Sequence, residues 1–185
     1  MSSLTTHRFT VSDFEQMIKS GVLTREHRVE LLDGEIVDMA PIGPEHNGGV
    51  DYLTAHYAPL LPSSAVLRVQ GSICLDEHSR PQPDLALLRP RKDFYRANLP
   101  SPKDVLLLIE VCDSSRLDDR QRKIPLYAKA GIKEVWIVDL PDEILTVHRE
   151  PKSGLYRATT QFLRGDRVAP LAFPRHFLNV GELFG

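Results

Sequence analysis

The chain has 185 residues, enough for one hydrophobic core without disulfides or a structural metal and too few for two, so we expect one domain over residues 1–185. Hydrophobic residues make up 42% of it, but no apolar run approaches the ~20 residues of a membrane span, which argues against a membrane protein. The net charge of −2 argues against coating nucleic acid by charge alone, so any such contact must be local or metal-assisted.

The N-terminal residues and the cysteines indicate a cellular compartment. Residues 1–9 are polar and lack the apolar stretch and cleavage site of a secretory signal. Cys74 and Cys112 are too few for a disulfide scaffold. We therefore expect the reducing environment of the cytoplasm.

The first elements in chain order are a helix and a hairpin. Ser12 with Glu15 three residues later is typical of a capping box, and the helix that it begins ends near Gly21. Residues 28–39 predict two short strands around Asp33-Gly34, because a tight hairpin turn requires positive φ at both central positions. Both elements are interpreted as scaffold.

A second helix and two strands follow. Apolar residues at helical spacing predict a helix from about His46 to Tyr57. Alternation of apolar and polar residues over 67–75 predicts a strand with one buried face. Pro83 to Leu88 predicts another strand, with the proline at its first position, where a missing amide is tolerated.

The second half of the chain predicts a strand-helix-strand unit. Val105 to Val111 is an apolar run interrupted by Glu110, and a carboxylate in such a buried central strand has no packing explanation. Asp118 to Ala130 predicts a helix, and Glu134 to Leu140 predicts a strand parallel to the first. The remaining segments predict two antiparallel strands and a closing helical turn at 144–149, 155–163 and 178–184.

Asp84 and Glu110 are candidate metal ligands because they lie on strands predicted to be neighbours. Two buried carboxylates repel each other unless a cation lies between them. Hard oxygen ligands suit Mg²⁺ or Mn²⁺, which retain waters and leave room for a phosphate oxygen. The pair therefore indicates phosphodiester hydrolysis, although spacing alone leaves a chance pairing or a structural ion pair as the commoner explanation.

Longer motifs connect these residues to a family. The stretch 109–115 is followed by Asp119, Lys123 and Tyr127 and then by 130–139. Together they closely resemble the Uma-type family of restriction-endonuclease-like bacterial proteins, a branch of the PD-(D/E)XK nuclease superfamily. Two further matching segments are Val29-Glu30-Leu31-Leu32-Asp33-Gly34-Glu35-Ile36 with His46 after it, and Gln82-Pro83-Asp84-Leu85.

The resemblance implies an α/β fold with a restriction-endonuclease-like core, a central mixed sheet of four or five strands flanked by helices. The site would lie at one edge of the sheet, with Asp84 and Glu110 binding the metal and the carbonyl of Val111 assisting. The superfamily places a lysine two residues after the acid, but Cys112 stands there, so the resemblance suggests that Lys123 on the next helix supplies the ammonium. Without the family, a surface lysine is the simpler interpretation of Lys123.

Other residues of these motifs are candidates to support the site. Glu30 is either a further ligand, a carboxylate behind the ligands, or half of a surface ion pair with Arg28. His46 is expected to bond a phosphate or a backbone group, and Tyr127 to pack over the site. Asp119 belongs to the same motif, whereas Cys112 lacks the histidine base that a thiol mechanism requires.

The function that the sequence favours is a Mg²⁺- or Mn²⁺-dependent endonuclease acting on DNA, expected as a homodimer because related nucleases often cut two strands with two sites. One alternative is a catalytically inactive nucleic-acid-binding or regulatory module on the same fold, since fold does not fix function. Another is a hydrolase of small phosphate esters, which would need a closed pocket beside Asp84 in place of an open cleft.

Overall fold

The secondary structure follows the predicted order of helices and strands. The structure is a computed structural model that describes residues 6–24, 26–113 and 117–185, with the backbone alone over 117–121. The helices are α1 (Val11–Lys19), α2 (Pro44–Tyr57), α3 (Leu117–Lys129) and α4 (Val180–Leu183). The strands are β1 (Val29–Leu32), β2 (Glu35–Asp38), β3 (Val66–Val69), β4 (Leu85–Leu88), β5 (Val105–Cys112), β6 (Glu134–Asp139), β7 (Ile144–Lys152), β8 (Leu155–Phe162), β9 (Arg167–Val168) and β10 (Leu178–Asn179).

A mixed sheet of order β3-β4-β5-β6-β7-β8 forms the centre of the fold. Strands β5 and β6 are parallel and are joined through α3, and every other neighbouring pair is antiparallel. The predicted α/β fold with a mixed sheet is therefore confirmed, with six strands where four or five were expected. The strands predicted at 144–149 and 155–163 correspond to β7 and β8, and both belong to this sheet.

Alternate residues of the central strands pack on opposite faces of the sheet, because side-chain direction alternates along a strand. One face, with Leu85 and Ile109, packs against α2. The other, with Ala86 and Leu108, packs against residues of α3 such as Tyr127. Burial on both faces explains the nearly continuous apolar sequence of β5. None of the helices in the described part of the chain combines the length and apolarity that crossing a membrane would require.

The hairpin prediction is confirmed, and several boundaries differ. Asp33 and Gly34 have φ of 49° and 79°, as the tight turn between β1 and β2 requires. The capping box predicted at Ser12 is wrong: the cap of α1 is Thr10, whose side chain accepts from the amide of Asp13 while the Asp13 carboxylate accepts from the Thr10 amide. Glycine at the cap and proline at N1 begin α2 at Pro44, two residues earlier than predicted.

The strand predicted over 67–75 ends at Val69. Gln70 has a φ of 45°, which breaks the extended conformation, and its amide donates to the carbonyl of Asp84 at 2.8 Å. Of the apolar residues in the predicted alternation, Ile73 and Leu75 are buried, Leu67 is partly buried and Val69 is exposed, so the alternation reported burial only in part. The next strand begins at Leu85 instead of Pro83.

Candidate active site

Asp84 and Glu110 lie opposite each other at one end of β4 and β5. Leu85 pairs with Ile109 in this antiparallel ladder. Asp84, which precedes Leu85, therefore lies across from Glu110, which follows Ile109. Residues directly opposite on antiparallel strands have Cβ atoms ~5 Å apart. Both are interior strands of the sheet, so the carboxylates lie at the end of the sheet and not along an edge strand. The two predicted metal ligands are thus brought together.

The carboxylate of Asp84 is oriented by two contacts. Nε2 of His46 lies 2.9 Å from its Oδ1, and the main-chain amide of Val111 donates to its Oδ2 at 2.9 Å. His46 is fully buried in the first turn of α2. The contact of His46 with a carboxylate was not predicted, and the predicted bond to a phosphate or a backbone group stays a prediction. His46 supports a carboxylate that is itself the candidate ligand.

The two oxygens of Glu110 have different surroundings. Its Oε1 accepts a hydrogen bond from the Tyr127 hydroxyl at 2.5 Å and lies 3.6 Å from Nζ of Lys123. No residue that the structure describes donates a hydrogen bond to its Oε2. Tyr127 therefore does more than pack over the site, because its hydroxyl occupies one oxygen of the carboxylate. The other oxygen remains available to a ligand.

The pKa of Glu110 is raised to about 8, and burial is the largest cause. The negative charges of Asp84 and Glu30 raise this pKa further, whereas Lys123 and the hydrogen bond from Tyr127 lower it. The net effect is a carboxyl group that holds a proton more firmly than an ordinary glutamate. A divalent cation in place of that proton would compensate the same unfavourable charge.

Lys123 is buried between two carboxylates and is not a surface lysine. Its Nζ lies 3.0 Å from Oε1 of Glu30 and 3.6 Å from Oε1 of Glu110, and the residue is 3% exposed. Lys123 and Tyr127 are four residues apart on α3, which places both on the helix face that covers β5. The helix thus brings an ammonium and a hydroxyl to the same glutamate.

Glu30 is buried too, and it does not form the surface ion pair with Arg28 that was one of its interpretations. It is 2% exposed on β1, and its Oε2 accepts a hydrogen bond from the amide of Gln82 at 2.9 Å. Its other oxygen contacts Lys123. Among the described side chains, three carboxylates, those of Glu30, Asp84 and Glu110, therefore share this interior with one lysine and one histidine. Within this described set the carboxylates outnumber the cations, an imbalance that a bound cation would reduce.

The donor set fits a cation with few protein ligands. Within the described ranges no group of three or more His, Cys, Asp or Glu side chains is placed to hold a metal. Asp84 and Glu110 offer two hard oxygen ligands, the number that Mg²⁺ commonly takes from a protein while keeping several waters. In the structure Val111 contributes its main-chain amide, which donates to Asp84. Ligation of a metal by its carbonyl stays a prediction. The site suits Mg²⁺ or Mn²⁺, and its described side chains do not form the four-ligand set of structural zinc.

The remaining predicted residues and two unpredicted groups complete the site. The side chain of Asp119 lies outside the described residues. Cys112 is buried on the α3 side of the sheet, where a small apolar side chain packs. The main-chain amides of Val111 and Gln82, which hold Asp84 and Glu30, were not predicted. Side-chain type carries no signal for such groups, since every residue except proline has the same amide.

Comparisons with known proteins identify a family and a fold. A profile of the Uma2 family, described as "Putative restriction endonuclease", matches residues 11–181. A crystal structure described as a putative nuclease belonging to DUF820 from Anabaena variabilis ATCC 29413 superposes with a TM-score of 0.77 at 17% identity, covering 95% of this chain and 97% of that one. At that identity the likeness shows the fold. A search of curated proteins gave no match.

Proposed function

Because the chain belongs to the Uma2 family of restriction-endonuclease-like proteins, we propose that it is a metal-dependent endonuclease that hydrolyses phosphodiester bonds of DNA, with Mg²⁺ or Mn²⁺ as its metal. The observation that carries the proposal is the pair Asp84 and Glu110, buried opposite each other with an ammonium beside them. A structural ion pair would bring matched charges, whereas among the described side chains of this site carboxylates outnumber cations.

Each residue has a role that follows from its contacts. Asp84 and Glu110 bind the metal, which would supply Lewis-acid stabilisation of the charge on the phosphoryl oxygens. His46 and the Val111 amide orient Asp84. Tyr127 orients Glu110 by bonding its Oε1, which leaves Oε2 to bind the metal. Held carboxylates lose less conformational freedom when a ligand binds, which improves affinity.

Lys123 has the electrostatic role in this proposal. Its Nζ lies 3.0 Å from Oε1 of Glu30 and 3.6 Å from Oε1 of Glu110, which places it beside the candidate metal ligands. It orients the attacking water and offsets the negative charge that develops on the phosphoryl group. Glu30 is a positioning residue. Its Oε2 accepts a hydrogen bond from the Gln82 amide, and its Oε1, held in this way, positions the ammonium of Lys123.

The test is cleavage of supercoiled plasmid by purified protein with Mg²⁺ or Mn²⁺. Asp84→Asn, Glu110→Gln and Lys123→Met should each lose cleavage, because each removes one charge of the site and preserves side-chain size. Asp51→Asn and Lys152→Met remove the same charges from exposed positions and should cleave like the parent. Absence of cleavage by the parent on plasmid, single-stranded DNA and RNA would overturn the proposal in favour of a binding module.

The alternative of a small phosphoester hydrolase is separated by substrate. The endonuclease proposal expects plasmid cleavage in excess of any hydrolysis of bis-p-nitrophenyl phosphate, since only the polymer offers contacts beyond the reacting phosphate. Faster turnover of the small ester, lost in the same three variants, would favour the alternative. Comparison of the two substrates with one enzyme preparation gives the answer.

A further inference from the structure

A surface depression lies at the opposite end of β4 and β5 from the candidate site. It has a volume of about 620 Å³. The residues that line it are Arg89, Ser101, Pro102, Lys103, Val105, Ala130, Gly131 and Lys133. We call it the basic depression. Its lining residues lie at the end of β4, at the start of β5 and in the loop between α3 and β6.

The charges of the basic depression have one sign. Arg89, Lys103 and Lys133 are exposed cations, and none of its lining residues is acidic. None of the three forms an ion pair with a residue that the structure describes. The neighbouring Asp104 does not line the depression; its carboxylate accepts from the amide and hydroxyl of Ser101 at 2.9 and 2.6 Å and offsets part of the positive charge near Lys103. In a chain of net charge −2, this is a local concentration of unpaired positive charge.

The guanidinium of Arg89 is already positioned. Its Nε donates to the carbonyl of Lys103 at 3.1 Å, and the Arg89 amide donates to the carbonyl of Asp104 at 2.8 Å. These contacts leave Nη1 and Nη2 without a hydrogen bond to any described residue. A guanidinium fixed in this way presents two donors in the geometry that phosphate oxygens accept. Pre-organisation lowers the entropy cost of binding.

The distance between the basic depression and the candidate site is suited to a polymeric substrate that contacts both. Five residues of β5 separate Val105 from Glu110, which is ~17 Å at ~3.3 Å per residue. Lys123 and Gly131 are eight residues apart along α3 and its C-terminal turn, or ~12 Å at ~1.5 Å per residue. Both lengths are comparable to the ~12 Å width of the DNA major groove. These lengths are within the dimensions of one duplex, and the proposal requires a single duplex to contact both places.

We propose that the basic depression binds a phosphate of the nucleic-acid backbone and holds the substrate at a distance from the metal site. The inference builds on the proposed function by adding a substrate contact that the metal ligands do not provide. Contacts of this kind position a duplex without reading its sequence. The depression contributes affinity, and chemistry remains at Asp84 and Glu110.

The experiment measures binding of a fluorescent 30-base-pair duplex by anisotropy in EDTA, where metal-dependent cleavage cannot occur. The test variant combines Arg89→Gln, Lys103→Gln and Lys133→Gln. The matched control combines Lys152→Gln, Arg157→Gln and Arg175→Gln, which removes the same charge from exposed positions outside the depression. We expect the test variant to bind about tenfold or more weakly and its salt dependence to fall by about one unit of slope per lost phosphate contact. The control should bind nearly as the parent does.

The outcomes separate this inference from the proposed function. A parent that binds the duplex without ever cleaving it, and a test variant that loses binding, would retain the basic depression and reject the endonuclease. Unchanged binding by the test variant, or an equal loss in the control, would overturn the basic depression. If the triple variant does not fold, the exposed substitutions Arg89→Gln and Lys133→Gln are measured singly, and each should weaken binding more than Lys152→Gln does.

Discussion

Glu110 and Glu134 lie on the neighbouring parallel strands β5 and β6, and both are buried, but their hydrogen-bond partners differ. Oε1 of Glu134 accepts from the Trp136 indole at 2.8 Å and from Nε and Nη2 of Arg149 at 2.9 and 2.6 Å. Its Oε2 accepts from the amide of Leu171 at 2.7 Å. Both oxygens of Glu134 are thus satisfied by the fold itself.

Glu110 has its donors on one oxygen, and its pKa is raised to about 8 because burial is incompletely compensated. A buried carboxylate with both oxygens hydrogen-bonded stabilises a structure, because its removal leaves several buried donors without an acceptor. A buried carboxylate with one oxygen that accepts no hydrogen bond lowers the free energy of unfolding, but that oxygen can bind a ligand. The comparison therefore distinguishes a structural glutamate from a candidate catalytic one within the same sheet.

The largest effect should be on activity at Glu110. Glu110→Gln keeps the hydrogen bond from Tyr127 and removes the charge that would bind the metal, so we expect plasmid cleavage to fall by about a thousandfold, equivalent to about 4 kcal/mol of transition-state stabilisation. Initial rates with Mn²⁺ measure this change. Circular dichroism should show an unchanged fold. Cleavage within a few-fold of the parent would remove Glu110 from the site.

The converse effect, on stability, is expected at Glu134. Glu134→Ala leaves the partly buried Arg149 and the Trp136 indole without their acceptor, so we expect the free energy of unfolding to fall by about 3 kcal/mol. Urea denaturation measures it, with Glu150→Ala on the exposed part of β7 as a control. Cleavage per folded molecule should be retained. A stable Glu134→Ala protein without activity would contradict the distinction between the two glutamates.

The pH dependence of stability should come from Glu110. Its pKa in the folded chain, about 8, exceeds the ordinary value of 4.5, so the native state binds the extra proton between these values. Its contribution to stability is therefore fully present below pH 4.5 and is lost as the pH rises toward 8, by at most about 1.4 kcal/mol per pH unit.

Thermal denaturation between pH 5.5 and 8.0 checks this sign. Without metal, the melting temperature should decrease with pH in the parent and change less in Glu110→Gln. Mg²⁺ should stabilise the parent most at the highest pH, because metal binding displaces the proton. A stability of the parent that rises over this range in step with the variant would show that Glu110 does not titrate there.

The smallest effect is expected at Tyr127. Tyr127→Phe removes the hydroxyl at 2.5 Å from Glu110 and keeps the buried ring. Loss of one hydrogen bond to a charged group is worth about 1.5 kcal/mol, so we expect roughly tenfold weaker Mn²⁺ binding. Titration calorimetry measures the affinity. The equivalent change at Tyr156, which donates to the carbonyl of Ile132, should leave Mn²⁺ binding unchanged.

Prediction from the sequence succeeded where the information is local. The apolar sequence of β5 interrupted by Glu110 indicated a central strand with a site in it, and Asp33-Gly34 specified a hairpin turn. The strand predicted over 67–75 failed beyond Val69, because an irregular segment begins at Gln70, whose amide donates to the carbonyl of Asp84. Periodicity reports which side chains are buried and not which backbone groups are paired.

The sequence by itself determined the fold class, the family motifs and the candidacy of Asp84, Glu110 and Lys123, because strand and helix periods and residue chemistry are written along the chain. Only the tertiary structure decided that Glu30 approaches Lys123 and that Tyr127 occupies one oxygen of Glu110. Residues far apart in sequence meet through the packing of β1 and α3 against the sheet, and such contacts depend on the whole core rather than on any local pattern.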